Sequence, residues 1–147
     1  MLLLQQLPQG PLMNQNSFKA GRRLILALEK LSHPIHYDDG RILFSQGDAP
    51  TGLYIVERGK AELVMISEAG KMVMRLHAGA GSLLGLPAII GNKPYSLTAV
   101  AGKGSEVRFV PRDGFEDMLQ AEPSLYPYVL QVFAAEVRAA RNALLES

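Results

Sequence analysis

The residues of this chain best placed to do chemistry are a glycine-proline turn at Gly85-Leu86-Pro87-Ala88, glycine pairs around Gly81 and Lys103, and histidines at positions 33, 36 and 77. A glycine turn that runs into one turn of helix leaves the first backbone N–H groups unbonded and pointing outward, which suits an anion. Pro87 fits the first helical position, since it gives up no needed donor there and its φ is already helical. Ala88, Ile89 and Ile90 complete the turn, and Gly91-Asn92-Lys93-Pro94 leads back toward a strand. The residue types of this segment are compatible with an anion-accepting nest of backbone amides.

The other motifs carry less. Gly79-Ala-Gly81-Ser-Leu-Leu-Gly85 has its third glycine one residue late for a dinucleotide fingerprint and lies outside any strand-helix alternation, so it reads as a turn. Gly102-Lys103-Gly104 lacks the rest of a phosphate-binding loop and reads as a hairpin between strands. His33 and His36 flank Pro34 in an extended stretch, where side chains three apart do not converge on a metal, and His77 stands alone at a strand end. Glu57, Glu62 and Glu106 fall on strands without histidine partners. No metal, cofactor or catalytic group is expected, and haem has no nameable second axial ligand.

These residues must be positioned by a turn-rich β domain. Residues 1–16 have no clear period and are expected to form an arm. Ser17 is placed to cap a helix over 17–32 whose Leu24, Ile25, Leu28 and Leu31 share one face. From His33 to Pro111 the period falls toward two, with strands expected at 41–45, 53–57, 60–67, 71–77, 97–101 and 106–111. Asp39-Gly40, Arg58-Gly59 and Ala69-Gly70 supply turns in which glycine adopts positive φ. The fold class is mainly β with flanking helices: a double-stranded β-helix, or jelly-roll barrel, over 33–111 and helices over 112–146.

In the last helix Tyr126, Leu130, Phe133, Val137, Ala140 and Leu144 are separated by 4, 3, 4, 3 and 4 residues. That is a heptad seam. Packing on the chain's own barrel is one explanation. A homodimer interface is favoured, because Val129, Val132 and Leu145 already supply an apolar face for the barrel.

Gly40-Arg-Ile-Leu-Phe-Ser-Gln-Gly47-Asp48 and Leu53-Tyr-Ile-Val-Glu-Arg-Gly59-Lys-Ala-Glu-Leu-Val64 resemble the opening strands of the cyclic-nucleotide-binding domain, whose glycines stand at fixed offsets among apolar strands. The similarity runs on through Gly81-Ser-Leu-Leu-Gly85-Leu-Pro-Ala88, at the place of that family's phosphate-binding cassette, and through Phe115, Pro123 and the terminal helix. It spans about residues 33 to 146 and looks most like the sensor half of Crp/Fnr-type bacterial regulators.

The resemblance implies a ribose-accepting Glu after the cassette glycine and a phosphate-pairing Arg about ten residues on. This chain has Leu86 and Tyr95 at those places, with Ser96 following and with Ala140 and Arg141 where some relatives cap the base. Losing the guanidinium fork removes roughly 1.5 to 3 kcal/mol, and an unpaired hydroxyl costs roughly 1 to 3 more. Affinity for a cyclic nucleotide should be weaker by on the order of a hundredfold to ten-thousandfold.

Three readings of the pocket stay open. One is a sensor of another small-molecule effector, bound among Gly85, Leu86, Pro87, Ala88, Tyr95 and Ser96. The second is residual nucleotide binding with Lys93 or Arg141 as surrogate cation, and the third a structural or dimerising module. The double change Leu86→Glu with Tyr95→Arg is expected to strengthen nucleotide binding.

The chain has 147 residues, with 15 Lys and Arg against 14 Asp and Glu, so no overall field draws it to nucleic acid or an anionic membrane. It has no cysteine and nothing near the roughly 20 consecutive apolar residues of a membrane span. A soluble, cytoplasmic domain is expected, without membrane or nucleic-acid partners of its own and without the helix-turn-helix half of the regulators it resembles.

Overall fold

The computed structural model describes residues 18–36 and 41–146. Their elements run α1 (Arg22–Glu29), β1 (His33–His36), β2 (Arg41–Phe44), β3 (Gly52–Arg58), β4 (Lys60–Ile66), β5 (Met72–Gly79), β6 (Leu83–Leu84), α2 (Leu86–Gly91), β7 (Thr98–Ala101), β8 (Glu106–Pro111), α3 (Arg112–Ala121), a 3-10 turn (Pro123–Leu125) and α4 (Tyr126–Glu146). The expected jelly roll is present as two four-stranded antiparallel sheets, ordered β1-β8-β3-β6 and β2-β7-β4-β5. Apart from β4 and β5, which pair as a hairpin within the second sheet, successive strands lie in different sheets.

One corner joins β3 to β4 at Gly59 and β7 to β8 at Gly102–Ser105. Gly59 has φ 83°, and a Cβ there would strike Ser105 Oγ. That hydroxyl accepts from the Lys60 N–H at 3.0 Å and donates to the Lys60 carbonyl at 2.9 Å. The Gly102-Lys103-Gly104 turn forms as expected, with the Ser105 N–H on the Gly102 carbonyl, but β7 and β8 belong to different sheets and do not pair. It is a corner, not a hairpin.

The outer face of the first sheet is covered by α1 on β8 and by α3 on β3 and β8. Gly52 through Val56 are accordingly all buried, the continuous apolar run expected of a strand covered on both faces. In β5, by contrast, Met74, Leu76 and Ala78 point inward between exposed Arg75 and His77. The core continues through Phe115 and Leu119 of α3 to Leu125 of the 3-10 turn and Val129 and Val132 at the start of α4.

Several boundaries differ from the sequence expectation. The first helix starts at Arg22, capped by the backbone of Gly21 with no side-chain cap, because Lys19 bridges Ser82 and the Ala20 N–H binds the Gly81 carbonyl at 3.0 Å. Fully buried Phe18 anchors that extended lead-in. The Ser17 cap, the arm over 1–16 and the Asp39-Gly40 turn lie outside the described residues. Strands β1 and β6 are too short to show a period. β1 tolerates Pro34 because it is an edge strand, paired only with β8, so a missing N–H costs no central ladder bond.

The candidate ligand pocket

The cassette turn has the expected backbone. Gly85 takes φ 91°, a conformation natural to glycine, and a Cβ there would come within 3.2 Å of the Tyr95 ring and 3.3 Å of the Gly52 carbonyl. Pro87 lies in the first turn of α2, and Asn92, at φ 51°, ends the helix with its N–H on Ala88 and Ile89.

The side chains beneath this turn are arranged by Tyr95. Its backbone is pinned on both sides, with its N–H on the Asp48 carbonyl at 3.0 Å and its carbonyl accepting from Gly47 at 2.8 Å. The ring stacks on Phe44 with centroids 4.0 Å apart and planes 20° apart. The hydroxyl accepts from the N–H groups of Thr51 and Gly52 at 3.1 and 3.2 Å and donates to the Gly52 carbonyl at 2.8 Å. One donor and two acceptor sites are all a phenol has, so this hydroxyl is fully committed to the backbone. Tyr95 thus closes the pocket floor and offers no polar handle.

Two adjoining cavities remain. The smaller, about 10 Å³, lies between Phe44, Gly85, Ala88 and Tyr95 and has room for about one water-sized sphere. The larger is an open cleft of about 300 Å³ between the second sheet and α4, walled by Met65, Met74 and Leu97 on one side and by Val137, Ala140, Arg141 and Leu144 on the other. Pro87, Ser96, Leu97 and Glu136 border both.

Among the residues expected at the site, Gly85, Pro87, Ala88, Tyr95 and Ser96 are brought together at the smaller cavity, and Pro87, Ser96, Ala140 and Arg141 at the cleft. Leu86 and Lys93 line neither. Leu86 is 0% exposed, packed in the core, and Lys93 is exposed. An acid put in place of this leucine would have to enter an apolar, buried setting.

Glu136 escaped the sequence reading. It is 5% exposed, and burial alone pushes its carboxyl up from 4.5 to about 8. Its Oε1 has no hydrogen-bond partner among the described residues. Its signal was a second stripe that starts in the 3-10 turn and runs along the terminal helix: Leu125, Val129, Val132, Glu136, Ala139 and Ala143, again separated by 4, 3, 4, 3 and 4 residues and all buried. This stripe, not one that includes Leu145, faces the sheet; Leu145 is 76% exposed. The neighbouring seam of Tyr126, Leu130, Val137 and Leu144 stays exposed, with Phe133 and Ala140 half-buried.

The remaining candidates are structural. His33 lies edge-on to Phe109 at 5.5 Å, while His77 and Arg75 flank Glu62 at 3.9 and 3.3 Å. Glu57 pairs with Arg108 and Glu106 with Arg58. Among the described residues no group of three His, Asp or Glu side chains could hold a metal ion, and no helix is long and apolar enough to cross a membrane.

A family model described as the cyclic nucleotide-binding domain matches residues 34–122. The two-sheet fold, the cassette turn and that match agree, and the chain belongs to the cyclic nucleotide-binding domain family. It is similar to the catabolite activator protein of Thermus thermophilus, with 28% identity and a TM-score of 0.66 over 86% of this chain and 58% of that one. It is 27% identical over 124 residues to a CRP-like cAMP-activated global transcriptional regulator of Mycobacterium tuberculosis, covering 83% of this chain and 54% of the regulator. It is also 26% identical over 117 residues to a lysophospholipase of Neurospora crassa, covering 80% of this chain but only 8% of that protein. The chain thus spans a fraction of the length of each of these relatives, and its own match is to the cyclic nucleotide-binding domain.

Proposed function

We propose that this domain senses a small-molecule effector other than a cyclic nucleotide, bound in the cleft between the second sheet and α4, and that it works as a homodimer through the exposed seam of α4. The observation that carries the reading is Tyr95. Where the family resemblance calls for a guanidinium, a stacked phenol occupies the site with every hydrogen-bonding position used. With Leu86 in the core, neither the phosphate nor the ribose finds its usual partner. The cleft that remains is largely apolar with a few polar groups at its margin, as small-molecule sites are.

The dimer reading rests on the two stripes of α4. One is buried against the sheet, and the other, one residue further on, is apolar and exposed at heptad spacing. Val137, Ala140 and Leu144 belong both to that seam and to the cleft wall, so a molecule in the cleft acts directly on the surface that would meet a second copy. Such a domain regulates and does not catalyse.

Titration calorimetry with cyclic AMP and cyclic GMP tests the reading. Affinities in the high micromolar range or weaker are expected, and micromolar or tighter binding would overturn it. Arg141, which lines the cleft, would then be the cation to replace, since Lys93 lines neither cavity.

A further inference from the structure

The effector-sensing reading leaves the chemistry of the effector open, and Glu136 narrows it. This carboxyl stands where the smaller cavity meets the cleft, with its Oε1 buried and without a partner among the described residues. A buried oxygen left unpaired is costly, so a ligand group that reaches this carboxyl and supplies the missing bond removes part of that cost on binding. Ser96 borders the same junction and offers a second polar contact.

The surroundings decide the charge of the ligand. Lining the cleft with Glu136 are Met65 of β4, Met74 of β5, Leu97 and Ser96 ahead of β7, and Pro87 of α2, none of them charged. Tyr95 is titratable but committed to the backbone, and Arg141, on α4 itself, is the one other charged lining residue of the two cavities. Burial keeps the Glu136 carboxyl protonated at neutral pH, with its midpoint at about 8. A protonated carboxyl presents one O–H donor beside one acceptor, which matches an amide or a hydroxyl and takes no ion out of water. A cation would require ionised Glu136 in an apolar setting, and Arg141 is the one cationic side chain that lines either cavity.

We propose, on the footing of the effector-sensing reading, that the effector is an uncharged, mainly apolar molecule whose amide or hydroxyl group pairs with Glu136 at the inner end of the cleft. Met65 and Met74 favour an aromatic body, since thioether sulfurs make good contacts with rings.

Three probes of one shape and different charge test this: indole-3-acetamide, indole-3-acetate and tryptamine, titrated calorimetrically at about pH 6.5, where Glu136 holds its proton. The neutral amide should bind at least about tenfold more tightly than either ion. Glu136→Gln, which keeps both a donor and an acceptor, should stay within about threefold of the parent for the amide, and Glu136→Leu should lose about tenfold. Thermal melts confirm that both variants are folded.

Tighter binding of tryptamine, abolished in Glu136→Gln, would overturn the proposal in favour of an ion pair while leaving the sensor reading intact. Tighter binding of indole-3-acetate, lost in Arg141→Ala, would do the same. Failure of all three probes to bind would overturn the proposal, whereas the sensor reading itself falls only to tight cyclic-nucleotide binding.

Discussion

The hydroxyl of Tyr95 donates to the carbonyl of Gly52 at 2.8 Å and accepts from the N–H of the same residue at 3.2 Å, joining the end of the cassette segment to the start of β3 across 43 residues of sequence. Gly52 can have no side chain here, since a Cβ would fall on the Val110 carbonyl oxygen. Tyr95→Phe keeps the ring on Phe44 and removes only the oxygen, leaving buried backbone groups unpaired. A loss of roughly 1 to 3 kcal/mol is expected, read as a lower urea midpoint at unchanged slope.

Glu136 should make stability fall as pH rises. Its folded-state midpoint, about 8, lies above the ordinary 4.5, so between those values the folded chain holds a proton that the unfolded chain has released. The stabilising effect of that proton is complete below the ordinary value and is lost as pH rises through the folded one, an effect on the order of a few kcal/mol. Urea midpoints between about pH 5 and about pH 8 should decline for the parent chain and show a much flatter profile for Glu136→Gln.

Putting back the family's acid and arginine will not restore nucleotide binding. Leu86 is in the core, and Tyr95 supports the pocket floor, so Leu86→Glu with Tyr95→Arg buries a carboxylate and removes the Phe44 stack together. The expected result is a cooperative melt shifted down or lost, with no gain in cyclic AMP affinity by calorimetry. This replaces the gain in affinity that position in the sequence alone suggested.

For the proposed dimer, Leu130 is a cleaner probe than Phe133. Phe133 is half-buried against the core, whereas Leu130 is 58% exposed on the seam. Leu130→Glu should leave the melting temperature nearly unchanged and give a monomer in sedimentation equilibrium, because two carboxylates would face each other across a two-fold interface. A dimer that persists would place association on another surface.

The elements that sequence displayed well were those long enough to show a period. β4 was expected over 60–67 and runs Lys60–Ile66, and β8 was expected over 106–111 and runs Glu106–Pro111. What stayed hidden depended on distant partners. The late start of α1 reflects the bridge from Lys19 to Ser82, and the role of Tyr95 depends on backbone groups of Thr51 and Gly52 that no local pattern connects to it. Glu136 was masked differently: one acid in a helix reads as solvent-facing unless the stripe Val129, Val132, Ala139 and Ala143 is followed through it. The cassette backbone was legible because glycine and proline declare their own dihedral angles, as Gly85 and Pro87 do.

Val137, Ala140 and Leu144 line the cleft and also stand on the seam of α4, and that double membership fixes how measurements would behave if the proposed effector fills the cleft and the proposed dimer forms on the seam. Two binding events that share residues are thermodynamically linked, and the linkage is reciprocal. Whatever free energy an effector adds to or removes from self-association, dilution of the protein returns to the effector as a change in apparent affinity. Titrations at nanomolar and at high micromolar protein will then yield different constants for the same ligand. The difference between them measures how strongly the cleft and the seam are coupled.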